Sequence, residues 1–86
     1  MINEEIREII EFENGEAILF DNPSFDNSII GISSDGRVVY DYMKMVTEFA
    51  NENNVSLDEA EEFIDYNTIR ALPYTGSYGP IIMNEL

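Results

Sequence analysis

The chain has 86 residues, no cysteine and no histidine, and eighteen Asp and Glu against four Lys and Arg, for a formal charge of −14. That length allows a single domain covering residues 1–86, and the charge excludes direct binding of nucleic acid or anionic lipid through a basic patch. The missing histidine and cysteine exclude ordinary zinc and copper ligand sets and the commonest general base near neutral pH.

The N-terminal run Met1-Ile2-Asn3-Glu4-Glu5 lacks the basic start and unbroken apolar run of a signal peptide. No stretch approaches the roughly 20 apolar residues that span a bilayer, and the cysteine-free composition suits a reducing compartment. A cytoplasmic protein is therefore expected. Residues 3–12 read as a helix, with Ile2, Ile6, Ile9 and Ile10 at helical spacing and Glu4, Glu5 and Glu8 near its start, where they suit the helix dipole. Asn14-Gly15 stops it. Residues 16–20 read as a short strand, and 21–27, rich in Asp, Asn and Pro, as a loop.

Residues 28–33 and 37–42 are β-branched and aromatic, and Asp35-Gly36 between them predicts a two-residue hairpin turn with positive φ at both positions. Asp41 then reads as an N-cap for a helix carrying Tyr42, Met45, Val46, Phe49 and Ala50 on one side. Asn53-Asn54 ends that helix. Ser56-Leu57-Asp58-Glu59 is a capping box. The third helix it opens is predicted to end at Leu72, because Pro73 disfavours continuation. Leu57, Ala60, Phe63, Ile64 and Asn67 fall toward one side of it. A loop over 74–80 and a last strand at Ile81-Ile82-Met83, returning to the sheet edge, complete the chain. The expected fold is α+β: a small antiparallel sheet of three to four strands with about three helices packed on it, in the order α-β-β-β-α-α-β. Hydrophobic residues make up 44% of the chain, enough for one core despite the charge.

No assembled catalytic constellation is legible. Lys44 is the only lysine and sits early in an amphipathic helix, so a Ser or Thr nucleophile has no evident base. Paired carboxylates can run glycosidase chemistry, but they need a cleft that separates their pKa values, and a domain this small seldom forms one. Asp21, Asn22, Asp26 and Asn27 cluster without EF-hand spacing and read as turn residues. Gly76-Ser77-Tyr78-Gly79 lacks the lysine and following helix of a phosphate loop. The sequence therefore predicts no enzyme, no metal and no cofactor.

The acid is unevenly placed. Residues 1–26 and 48–65 each carry a net −7, and the remainder sums to zero. Asp58, Glu61, Glu62 and Asp65 lie at i, i+3, i+4 and i+7, on one face of the third helix with no Lys or Arg interleaved. Like charges at i,i+4 cost about 0.2–0.5 kcal/mol per pair, and a merely solvated face usually mixes signs. Glu4, Glu8 and Glu11 form a shorter stripe on the first helix, moderated by Arg7. Carboxylates at this spacing stand about 5–6 Å apart, near the phosphate spacing of a nucleic-acid strand. The face reads either as an imitation of a phosphate backbone or as a solubilising surface. A second candidate surface holds Tyr66, Asn67, Arg70, Tyr74 and Tyr78, since Tyr and Arg are enriched at interface hot spots. The plainer reading makes Asn67 a buried polar tie and pairs Arg70 with an acid of the same chain.

The run from Glu61 to Tyr74 (Glu-Glu-Phe-Ile-Asp-Tyr-Asn-Thr-Ile-Arg-Ala-Leu-Pro-Tyr), followed by Gly79-Pro80-Ile81-Ile82-Met83, resembles the C-terminal end of small acidic proteins of phages, prophages and related mobile elements of Gram-positive bacteria. Gly36 to Tyr42 extends the likeness to roughly half the chain. The resemblance implies a setting in which small acidic proteins inhibit host defence, among them anti-CRISPR proteins that mimic DNA; no motif of a named anti-CRISPR family is matched. The expected function is a non-enzymatic inhibitor that occupies the basic nucleic-acid channel of a bacterial nuclease such as a CRISPR effector. The alternative is an accessory module that homo-oligomerises, its acid serving solubility.

Overall fold

A computed structural model describes residues 3–86, so Ile2, placed by periodicity on the apolar stripe of the first helix, lies outside the described residues. Helix α1 spans Asn3–Glu13, with Glu4 and Glu5 in its first turn. Ile10 is buried and Ile6 packs against the core, while Ile9 faces outward. Asn14 follows the helix: its amide donates to the Gly36 carbonyl at 3.0 Å, and its side-chain oxygen accepts from the Glu16 N–H at 3.1 Å.

The predicted strand at 16–20 does not form: Glu16 lies in a turn and 17–20 join no sheet. Its donors find scattered partners instead. The Ile18 N–H bonds the Tyr78 carbonyl at 3.0 Å, and the Phe20 N–H bonds the Tyr40 hydroxyl at 3.1 Å. Ala17, Leu19 and Phe20 still pack against the core. The loop after it contains a cis Asn22–Pro23 peptide and the left-handed, fully buried Phe25. A single 3₁₀ turn, Asp26–Ser28, leads into the sheet.

Strand β1 (Ile29–Ile32) pairs antiparallel with β2 (Val38–Asp41), with a bulge between Ile29 and Gly31. The hairpin is present, but its turn corrects the two-residue expectation. Ser33 and Arg37 face each other through a 2.7 Å N–H to carbonyl bond, leaving a three-residue loop. Within it the Gly36 N–H bonds the Ser33 carbonyl at 3.0 Å, and only Gly36, at φ 83°, has positive φ. This is a turn closed by a left-handed glycine, which the following bulge-type pairing accommodates.

Asp41 caps α2 (Tyr42–Asn53) by accepting the Lys44 N–H at 2.9 Å, and Asn54 ends it in the left-handed conformation. Ser56 caps α3 (Leu57–Phe63) by accepting the Glu59 N–H at 3.1 Å. The predicted single helix to Leu72 is corrected: a π-helical turn spans Ile64–Thr68 and a 3₁₀ segment Ile69–Tyr74, running through Pro73. Pro73 thus tightens the winding and removes one donor without ending the helical path. The inward side becomes Ala60, Ile64 and Thr68, while Leu57 is half exposed and Asn67 faces solvent. Strand β3 (Ile81–Met83) takes the far edge, as expected, but pairs with β2 in parallel, correcting the all-antiparallel sheet. The long helical connection from β2 permits this, since parallel strands need a crossover.

The result is an α+β fold with a three-stranded mixed sheet, β1-β2-β3. Val38, Tyr40, Met45, Val46, Ala60 and Ile64 form the centre of the core with no exposed surface. Phe49 stacks on Phe63 at 4.3 Å, joining α2 to α3, and Phe20 packs on Tyr40 at 4.8 Å. No helix among the described residues is long and apolar enough to cross a membrane.

Candidate functional site

The four cations of the chain decide where the acid is left unneutralised. Arg7 grips the buried Asp26, with Nε at 2.8 Å from one oxygen and Nη2 at 2.9 Å from the other, and also donates to the Phe20 carbonyl at 3.1 Å. Its remaining nitrogen stands 3.8 Å from the exposed Asp21. The carboxylate beside it raises the Arg7 pKa further. Arg37 donates to the Gly79 carbonyl at 2.8 Å and the Pro80 carbonyl at 3.4 Å, holding the segment that leads into β3. Arg70 lies over the Tyr66 ring, 4.9 Å from its centroid, and forms no ion pair among the described residues, which corrects the plainer reading that gave it an acidic partner. Lys44 sits exposed in the first turn of α2.

Among the described residues, therefore, no ion pair reaches α3. Asp58, Glu62 and Asp65 are exposed and Glu61 partly so. Asp65, one residue into the π turn, accepts the Tyr42 hydroxyl at 2.7 Å. Partial burial and that bond hold the Tyr42 hydroxyl above its ordinary pKa, with Asp65 and Glu61 adding repulsion. The acidic face is thus bounded on one side by Tyr42 and continued past Asp65 by the Tyr66–Arg70 stack.

Glu4, Glu8 and Glu11 are exposed on α1, and no hydrogen bond, ion pair or cavity among the described residues joins them to the acids of α3. Of the predicted aromatic patch, the structure joins only Tyr66 to Arg70. Tyr74 is 89% exposed, and Tyr78 sits apart, its carbonyl tied to Ile18. Asn67 is no buried tie: it is exposed and its amide donates to the Phe63 carbonyl at 3.1 Å. Asp26 turns inward to Arg7, and among the described residues no group of three or more acids converges as a metal site.

A second polar cluster lay beyond sequence reasoning. The Ser28 hydroxyl donates to Glu48 at 2.8 Å. Burial pushes the Glu48 carboxyl above its ordinary range, and Glu52 and Asp26 add to this. Nothing in the periodicity of α2 marks Glu48, because its partner is brought by the turn before β1. Comparison with protein-family models, with curated proteins and with solved structures yields no match.

Proposed function

We propose that this protein is a non-enzymatic inhibitor that docks the acidic face of α3 onto the basic nucleic-acid channel of a bacterial defence nuclease, of CRISPR type, in the cytoplasm of a host cell. The observation that supports the reading is the distribution of ion pairs: among the described residues only Arg7 forms them, with Asp26 and Asp21, so none reaches the carboxylates of Asp58, Glu61, Glu62 and Asp65, of which Asp58, Glu62 and Asp65 are exposed. A basic groove would relieve that repulsion and release its own bound anions. The Tyr66–Arg70 stack at the end of the face supplies aromatic contact area of the kind that anchors interfaces. The acids of α1 assist by long-range attraction to the same basic partner.

The test is a charge reversal. Asp58→Lys with Glu62→Lys changes two exposed residues that have no internal partner, so the fold is retained to within about 1 kcal/mol. Inhibition of the target nuclease and its salt sensitivity should both fall sharply. Inhibition left intact by a folded double variant would exclude the mimic mechanism, and salt-insensitive self-association would favour the accessory module instead.

A further inference from the structure

A groove with a cavity volume of about 720 Å³ runs between α1 and β1, lined by Ile6, Ile9 and Ile10 on the helix, by Ile29–Ile32 on the strand and by Ser33 and Ser34 at the turn. It lies at an open sheet edge, since β1 has β2 on one side and no strand on the other. Ser33 bonds toward β2 through its N–H to Arg37, so alternation turns the N–H and C=O of Ile32 outward. A side-chain carbon added at Gly31 would meet nothing within 4 Å, so the sheet face is open at this position. Exposed edges are commonly guarded by Lys or Pro, and Ile29-Ile30-Gly31-Ile32 carries neither; its guards are its four-residue length and its bulge.

The charge around the groove selects the occupant. Glu13 lines it, and Glu5 and Glu8 line the adjoining hollow with Ile9 and the 90% exposed Phe12. The one cation of α1, Arg7, is held by Asp26 and Asp21. A second copy of this chain would bring another −14 and the same acidic wall. We infer that the groove receives an extended segment of a basic partner protein, in which apolar residues alternate with Lys or Arg, added as a strand to β1. Strand addition takes its affinity from main-chain bonds and its selectivity from alternate side chains. Here the apolar residues enter beside Ile9 and Ile30, and the charge of Glu5, Glu8 and Glu13 around the groove attracts the basic ones. This surface is separate from the α3 face and stands without it.

The probe is a synthetic octapeptide alternating valine and lysine, compared with the same peptide N-methylated at alternate amides, which keeps the charge but cannot complete a ladder. Amide proton–nitrogen spectra of the full chain should show shifts confined to β1 and the facing side of α1, and N-methylation should weaken binding about tenfold. Ile30→Lys, at a half-exposed position, should weaken it by a similar factor of about ten while leaving the melting temperature unchanged. The shift pattern should persist in the α3 double reversal, so the two readings fail separately. Equal affinity for both peptides, shifts centred on α3, or concentration-dependent broadening at β1 without peptide would each overturn the inference, the last by making a second copy the occupant.

Discussion

Replacing Arg7 by methionine keeps the apolar stem and removes the guanidinium from Asp26. The side chain of Asp26 is 5% exposed, and both of its oxygens depend on Arg7, at 2.8 and 2.9 Å. Breaking a buried ion pair by removing one partner costs about 3–5 kcal/mol, mostly because the remaining charge is stranded. The Arg7 side chain is 38% exposed, so water reaches that end of the pair and the low end applies, about 3 kcal/mol. An 86-residue domain has roughly 4–13 kcal/mol of stability in all. Thermal unfolding followed by far-ultraviolet circular dichroism should therefore show a melting temperature lower by about 12–24 °C. Asp21→Ala, which removes a 91% exposed partner at 3.8 Å, should change stability by no more than about 0.5 kcal/mol. Adding Asp26→Leu to the Arg7 variant should recover part of the loss, since two apolar residues strand no charge. An Arg7→Met protein within about 1 kcal/mol of wild type would refute the claim that this pair pins α1 to the turn before β1.

Three further outcomes follow from the same geometry. Gly36→Ala places a side-chain carbon 2.7 Å from the Asn14 amide at φ 83°, and should cost about 1–3 kcal/mol in urea unfolding. Burial raises Tyr40 to about 12. Its folded value lies above the ordinary tyrosine value of about 10, so its contribution to stability is intact below that pH and is lost as pH rises through about 12. Tyrosinate absorbance should show a late component that shrinks in Tyr40→Phe. Glu48 is likewise raised, so its contribution is present in acid and lost as pH rises through its folded value. Glu48→Gln, which still accepts from Ser28, should gain stability relative to wild type between acid and neutral pH; a constant difference would show that burial of Glu48 has no energetic consequence.

The parts of the fold that rest on local chemistry were legible in the sequence. Asp41 and Ser56 announced their helices because each short side chain satisfies an otherwise unpaired N–H three residues on. The hairpin was legible from Gly36, but its loop length was not, because a single left-handed glycine serves both two- and three-residue loops. Residues 16–20 read as a short strand, and whether such an apolar segment joins a sheet depends on a neighbour that no local pattern encodes. The parallel direction of β3 and the inward turn of Asp26 have the same origin in tertiary placement. For the candidate site, helical spacing placed the α3 carboxylates on an exposed face, since i+3 and i+4 neighbours share a side. Tyr66 and Arg70, four apart, meet although the winding changes between them, whereas Tyr74 ends the 3₁₀ segment and Tyr78 lies in the loop after it, where helical spacing no longer applies.

The most direct test of acidic mimicry is affinity capture from a nuclease-treated bacterial lysate, on the wild-type chain and on Asp58→Lys with Glu62→Lys, at low and high salt. The account predicts that the wild type retains a nucleic-acid-binding enzyme at low salt, releases it at high salt or on addition of duplex DNA, and that the double reversal retains none of it. Retention of the same enzyme by both proteins, unaffected by DNA, would contradict it.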